Sequence, residues 1–378
     1  MPPIRILIVD DSSVIRKVLT EGLASDPGLE VVGTAANGQI ALSKIPQCNP
    51  DLITLDVEMP GMNGLETLTA IRKAYTKLPV IMFSTLTEHG AATTLDALAL
   101  GATDYVTKPS NTGSLEVTLA QIRTQLIPKV KALCPSAAGT LPKAAPAIFP
   151  AAARPGHEIA CIDVLAIGAS TGGPNALAEL LPAIPADFPV PVVIAQHMPP
   201  LFTRLLAGRL NEKSALTVQE GCAGEVLMPG HAWIAPGDHH MTVERVGTAV
   251  RLGLNQGPPE NSCRPAVDPL FRSVAKTFGN NVLAVVLTGM GSDGVNGAGH
   301  IRERGGQVYV QDEASSVVWG MPGQVAAAGQ ADRILPLHSL AQEIVRRVSL
   351  QRGVTASAMH TAAFPPGDTL REGHKSGS

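Results

Sequence analysis

The sequence predicts an α/β protein of two domains, each a doubly wound parallel sheet, joined by a Pro/Ala-rich linker. Three observations carry that expectation. Short β-rich apolar runs alternate with segments of helical period in both halves of the chain. The alternation lapses over residues 128–158, where alanine, proline and other small residues leave no core pattern. The length of 378 residues also exceeds one typical core. The expected boundaries are 4–127 for the first domain, 128–158 for the linker and 159–350 for the second domain. A polar, aperiodic tail over 351–378 is expected to be disordered.

In the first domain the strand candidates are Ile6–Val9, Glu30–Thr34, Leu52–Leu55, Val80–Phe83 and Tyr105–Val106. Each precedes a loop and an apolar-periodic segment, which is a flavodoxin-like βα series. In the second, Rossmann-like domain the series resumes with Val164–Gly168, Val190–Ala195 and Leu283–Leu287, and closes on an amphipathic helix near Leu340–Leu350.

Composition narrows the functional classes. A net charge of −3 provides no electrostatic footprint for nucleic acid. No apolar run approaches the ~20 residues of a membrane span, and the N-terminus lacks a basic region followed by an apolar signal core. No direct membrane insertion is expected, and the cytoplasm is the default location. Cys48, Cys134, Cys161, Cys222 and Cys263 are scattered and odd in number, without C-x-x-C spacing, and read as reduced thiols.

Asp10, Asp11 and Asp56 fall where strand candidates end, so they should gather at the carboxyl edge of the first sheet, with Lys108 arriving there from the fifth strand. Singly these are ordinary loop residues. Together they suit Mg²⁺, a hard cation that accepts carboxylate oxygens and keeps positions open for phosphate. Val-Asp10-Asp11-Ser, Leu55-Asp56-Val-Glu-Met-Pro60-Gly-Met-Asn-Gly64, Phe83-Ser84-Thr85 and Thr107-Lys108-Pro109 resemble, in order and spacing, a response-regulator receiver domain over roughly residues 4–126. The resemblance implies that Asp56 is the phospho-acceptor and that Asp11 and Asp56 ligate Mg²⁺ with the Glu58 carbonyl, Asp10 helping through water. It further implies that Ser84 bonds the phosphoryl oxygen, with Thr85 competing, and that the Lys108–Pro109 bond is cis.

The second domain carries Gly168-Ala169-Ser170-Thr171-Gly172-Gly173 between a strand and a helix, the setting of an exposed nucleophile. His197 and Asp293 end other strands, and three parallel strands would deliver all three side chains to one edge. Serine needs an imidazole to take its proton and a carboxylate to fix the tautomer. The order Ser, His, Asp differs from that of α/β-hydrolases. The chain instead resembles the catalytic domain of the protein-glutamate methylesterases of bacterial chemotaxis. The matching segments are the serine turn, Gln196-His197-Met-Pro-Pro200, Ile234-Ala-Pro-Gly-Asp238, Arg264-Pro-Ala-Val-Asp268, Leu287-Thr-Gly-Met-Gly-Ser-Asp-Gly294 and Trp319-Gly-Met-Pro322.

That resemblance implies Ser170 as nucleophile, His197 as general base and then acid, Asp293 as orienting carboxylate, and the Met290 backbone N–H as oxyanion donor. It implies methylated chemoreceptors as substrate, glutamine deamidation as a second activity, and a chemotaxis histidine kinase as phosphodonor. No cofactor is expected for the ester chemistry. Ser292 departs from the asparagine common in relatives. Two rivals stand beside this reading. Gly289–Gly294 is also G-x-G-x-x-G after a strand, with Asp312 placed as a ribose-binding acid would be, as in an NAD(P)-dependent oxidoreductase; alternatively the second domain is a non-catalytic binding platform under receiver control. His239-His240 reads as a loop feature rather than a metal pair, and Leu201–Leu210, with Arg204 and Arg209, as a core-facing helix with one solvated side.

Overall fold

The structure, a computed structural model, describes residues 2–108, 115–134 and 161–350. The first domain runs β1 (Ile4–Val9), α1 (Ser13–Leu23), β2 (Leu29–Ala35), α2 (Gly38–Cys48), β3 (Leu52–Asp56), α3 (Gly64–Ala74), β4 (Val80–Ser84), α4 (Glu88–Ala99), β5 (Asp104–Thr107), α5 (Leu115–Gln121) and α6 (Ile127–Leu133). Its strands pair in parallel in the order β2-β1-β3-β4-β5, the flavodoxin-like arrangement expected. The order reverses between β1 and β3, which is where the acids lie. Local signals set the helices: Asn37 caps α2 through the Ile40 amide, and Asn63 and Glu66 close a reciprocal capping box on α3.

Of the residues expected to form the linker, Pro128–Leu133 are helical. A π-helical turn over Ile122–Leu126 runs directly from α5 into α6, and Pro128 lies just after it, where such a local change of helical bonding accommodates a residue without an N–H. Ile127 and Val130 are buried against the first domain's core, and Lys129 Nζ reaches Asp104 Oδ2 at 2.7 Å and the Tyr105 carbonyl at 2.8 Å. The helix of residues 127–133 thus packs with the first domain, past the expected boundary at 127. The rest of the expected linker, the tail and Pro109, with its expected cis bond, lie outside the described residues.

The second domain runs β6 (Val164–Ala169), α7 (Gly173–Leu180), β7 (Val192–Gln196), α8 (Phe202–Lys213), β8 (Thr217–Glu220), β9 (His231–Ile234), β10 (His240–Val246) and β11 (Ala249–Asn255). It continues with α9 (Val267–Phe278), β12 (Val282–Val286), α10 (Val295–Glu303), β13 (Gln307–Gln311), α11 (Met321–Ala327), β14 (Arg333–Leu335) and α12 (Leu337–Ser349). Seven parallel strands order as β14-β13-β12-β6-β7-β9-β8, and β10 and β11 form a separate antiparallel hairpin. The chain leaves β6 in one direction toward β7 and later returns to its other side as β12. That reversal opens a crevice at the carboxyl ends of three adjacent, fully buried strands. One apolar cluster includes Leu98 and Tyr105 of the first domain with Phe202 and Leu206 of the second, so the two cores meet.

Candidate active site and phospho-acceptor site

Because β1 and β3 are neighbours, Asp10, Asp11 and Asp56 converge, with carboxylate oxygens within 4.8 Å of one another. Lys108 Nζ lies 2.7 Å from Asp56 Oδ2 and 3.1 Å from Asp10 Oδ2. Asp10 Oδ1 accepts from the Ser12 amide at 2.9 Å and Asp56 Oδ1 from the Glu58 amide at 3.3 Å. Burial pushes the Asp56 carboxyl up to about 6, opposed by Lys108 and reinforced by the charge of Asp10. Three acids facing one ammonium are under-neutralised, and an all-oxygen donor set of this kind fits Mg²⁺. A cleft of roughly 630 Å³ opens beside them, lined in part by Asp11, Glu58, Met59 and His89. Gly64 is required where α3 starts, since a Cβ there would stand 2.2 Å from the Asp56 carbonyl oxygen.

Ser84 ends β4, one residue beyond the partner of Asp56. Its buried hydroxyl donates to the Gly90 carbonyl at 3.0 Å, while Thr85 Oγ1 pairs with Thr87 Oγ1 at 3.1 Å. Either hydroxyl must rotate away from its present partner to reach a group on Asp56.

In the second domain Ser170 follows β6, His197 follows β7, and Asp293 lies in the turn after β12. Ser170 Oγ is 3.1 Å from His197 Nδ1, and His197 Nε2 is 2.7 Å from Asp293 Oδ2. The carboxylate holds the ring proton on Nε2 and turns the Nδ1 lone pair toward the serine. Burial resists charging the imidazole, but the hydrogen bond to Asp293, together with Cys263, raises its basicity above the ordinary value. Asp293 is buried yet fully satisfied. Oδ2 also accepts from the Val267 amide at 2.6 Å, and Oδ1 from the amides of Asp268 and Gly294 and from Asn261 Nδ2 at 2.9 to 3.0 Å.

Close packing shapes the nucleophile turn. A Cβ on Gly173 would fall 2.0 Å from Gln196 Oε1, and one on Gly168 2.5 Å from Val267, so both positions require glycine for space. The Ser170 amide donates to the Thr288 carbonyl and the Gly289 amide to the Val318 carbonyl. The next amide, that of Met290, has no acceptor among the described residues. Gly289 abuts the nucleophile, since its Cβ would stand 2.8 Å from Ser170 Cβ.

The first domain touches this turn directly. Thr171, next to the nucleophile, donates to Asp104 Oδ2 at 3.0 Å, and Asn175 Nδ2 donates to the Leu98 carbonyl at 2.9 Å. Tyr105 stacks on Phe202 with ring centroids 4.7 Å apart. Arg204 pairs with Glu88 at 3.0 Å and Arg209 with Asp96 at 2.9 Å, so the solvated side of α8 faces α4.

The residues of the rival dinucleotide motif are committed elsewhere: Asp293 faces His197, and Asp312 accepts from the amide and hydroxyl of Ser315. His240, a loop feature in the sequence reading, starts β10 and ties Pro258 to Ala266 through its two ring nitrogens. Sequence reasoning missed Cys263, whose Sγ lies 3.3 Å from His197 Nδ1, and Asn261. No spacing signal marks either one, because their loop folds back over the site from outside the strand series. Among the described residues no helix is long and apolar enough to cross a membrane.

Family profiles match in the same two regions: the CheB methylesterase at residues 165–344 and the response regulator receiver domain at residues 6–120. The protein-glutamate methylesterase/protein-glutamine glutaminase of Trichodesmium erythraeum (strain IMS101) is 55% identical over 351 residues, covering 92% of this chain and 100% of that protein. The protein of the same description from Nocardioides sp. (strain ATCC BAA-499 / JS614) is 53% identical over 357 residues, 93% of this chain and 97% of that one. The crystal structure of the Thermotoga maritima CheB methylesterase catalytic domain matches at 40% identity and a TM-score of 0.48, covering 49% of this chain and 98% of that one.

Proposed function

Since the chain belongs to the protein-glutamate methylesterase/protein-glutamine glutaminase family and is a carboxylic ester hydrolase with an N-terminal receiver domain, we propose that Ser170, His197 and Asp293 perform the hydrolysis and that phosphorylation of Asp56 controls it. One observation carries the catalytic half: the unbroken line from Ser170 Oγ through both His197 nitrogens to Asp293. Ser170 Oγ attacks the γ-carbonyl of a receptor glutamate methyl ester while His197 Nδ1 takes the hydroxyl proton. The Met290 amide faces the oxygen that gains charge, a contribution of about 3 kcal/mol in comparable sites. His197 then passes its proton to the departing methoxide, releasing methanol and leaving an acyl-serine. Water, deprotonated by the same nitrogen, cleaves that ester to free glutamate and serine. A glutamine side chain follows the same path with ammonia as leaving group.

In the receiver, Asp10, Asp11, Asp56 and the Glu58 carbonyl would hold Mg²⁺, which when bound supplies positive charge against the carboxylate and incoming phosphoryl oxygens. Lys108 adds its ammonium beside the Asp56 oxygen, and Ser84, freed from Gly90, turns toward the modified aspartate. Rotation of Ser84 acts on β5 through its partner Thr107, and the same strand carries Asp104, which accepts from Thr171, and Tyr105, which stacks on Phe202. Releasing that face uncovers the serine turn. The substrate is a methylated chemoreceptor, the phosphodonor a chemotaxis histidine kinase, and the setting the cytoplasm.

The test is methanol release from methylated receptor membranes by the full chain, with and without Mg²⁺ and a small phosphodonor. Ser170→Ala is expected to be inactive in both conditions. Asp56→Asn is expected to keep basal activity and lose the phosphodonor response. Full activity in Ser170→Ala removes the catalytic assignment, and a normal response in Asp56→Asn removes the regulatory one.

A further inference from the structure

Behind Asp293 lies a second buried acid, Asp268, in the first turn of α9. Two carboxylates in one dry pocket repel each other unless donors stand between them. Here the donors are present. Asp268 Oδ1 accepts from the Gly294 and Gly297 amides at 3.0 and 2.7 Å, and Oδ2 accepts from Asn261 Nδ2 at 3.1 Å. The same Asn261 nitrogen reaches Asp293 Oδ1 at 3.0 Å, so one amide group bridges both acids. Burial drives both acids upward. The bond to His197 holds Asp293 below the ordinary carboxylate value, whereas Asp268, which makes no ion pair among the described residues, is held above it by burial and the charge of Asp293.

The loop that delivers Asn261 is built to hold an unfavourable conformation. Asn261 and Ser262 adopt left-handed backbone angles, with φ of 51° and 62°. Around them Arg272 of α9 grips Glu260 through two contacts of 2.9 and 2.6 Å, Arg264 clasps Asp238, and His240 ties Pro258 to Ala266. A loop that only connected β11 to α9 would have no need of this.

Resting on the triad reading above, we infer that Asn261 and Asp268 are positioning residues of the hydrolysis. Both aim the Asp293 carboxylate, Asn261 keeps it ionised by donating to it, and together they hold the His197 proton on Nε2. Neither touches the substrate. Asn261 divides the charge of the two acids, and Asp268 orients Asn261 and the backbone from Gly294 to Gly297 that carries Asp293.

The experiment uses the full chain with phosphodonor, reading methanol release from methylated receptor membranes as a function of pH. Asn261→Gly removes the amide yet keeps a residue at ease with φ above zero, which separates the side chain from the backbone. The expected result is a fall in kcat of about tenfold to a hundredfold, the loss of one charge-assisted hydrogen bond expressed as rate, with KM little changed. The acid limb of kcat/KM should move to higher pH, because the Asp293–His197 pair binds its proton more readily without that donor. Asp268→Asn keeps an acceptor for Gly294 and Gly297, removes a neighbouring negative charge, and turns an NH₂ toward Asn261 Nδ2 that leaves Asn261 to donate to Asp293 alone, so its limb should move to lower pH. The charged and titratable groups facing the pair are Asp268 and Arg272 from α9 and Glu260 and Cys263 from the loop, and only Asp268 differs between wild type and this second variant.

Opposite displacements in the two variants are a signature that general loop damage does not produce. Wild-type kcat in Asn261→Gly, or displacement of both limbs in one direction, overturns the inference. If Asn261→Gly fails to fold, the direction of the Asp268→Asn limb decides alone. Ser170→Ala, run alongside, separates this outcome from a failure of the triad: activity there removes the triad itself, whereas an inactive Ser170→Ala beside a fully active Asn261→Gly removes only the positioning role.

Discussion

Replacing Asp293 with asparagine exchanges one acceptor oxygen for an NH₂ donor and leaves the volume almost unchanged. The two oxygens of Asp293 receive five N–H groups, three at Oδ1 and two at Oδ2, so the new amide cannot be placed without opposing a donor. The less costly orientation puts NH₂ on the Oδ2 side, against His197 Nε2 and the Val267 amide. The Val267 N–H is backbone and cannot turn. The imidazole can respond by adopting its other tautomer, which places a proton on Nδ1, 3.1 Å from Ser170 Oγ, where a lone pair is needed. The same tautomer error in the Ser-His-Asp proteases lowers kcat by about ten-thousand-fold, equivalent to roughly 5.5 kcal/mol of activation free energy. The opposed Val267 donor adds about 1–3 kcal/mol of lost stability. Methanol release should therefore fall by about that factor with KM little changed, while thermal unfolding reports the smaller stability loss. Activity within about tenfold of wild type, a deficit of only about 1.4 kcal/mol, would refute the assignment of Asp293 as the residue that fixes the tautomer.

Two further outcomes are expected. A general base works only when unprotonated, and the Asp293 contact raises the basicity of His197 against the opposing effect of burial. The kcat/KM of the wild type should accordingly rise with pH along an acid limb above the ordinary imidazole value of about 6.5; a limb well below that value would contradict the geometry. Alkylation with iodoacetamide, mapped by mass spectrometry, should inactivate the enzyme when it reaches Cys263, because the added group must occupy space beside His197 Nδ1 and Ser170 Oγ. Cys263→Ala should survive the same treatment, and loss of its activity under alkylation would locate the sensitive thiol elsewhere.

Much of this protein was legible without coordinates, for a definite reason. Parallel βα units bury their strands as continuous apolar runs and expose their functional side chains where those runs end. The positions of Asp10, Asp56, Ser170, His197 and Asp293 could therefore be read along the chain, and the family resemblance added Met290. Each strand end is a local event, written in a few consecutive residues. Residues 128–134 show the limit of that locality, since Pro128 resembles a break in composition but lies in a helix that continues through a π turn.

Only the tertiary structure decided what reaches those strand ends from elsewhere. The β10–β11 hairpin and the loop after it leave no mark in the strand alternation, yet they bring Cys263 to His197 and Asn261 between Asp268 and Asp293. The stacking of Tyr105 on Phe202 and the bond from Thr171 to Asp104 join residues of different domains, and no periodicity within either domain encodes such a meeting. Hydrophobic patterning determines which face of each element is buried, because that depends on neighbours three or four residues away in a helix and two away in a strand. Which distant polar groups then share a pocket depends on how whole layers pack, and it follows from the sum of those contacts rather than from any one segment.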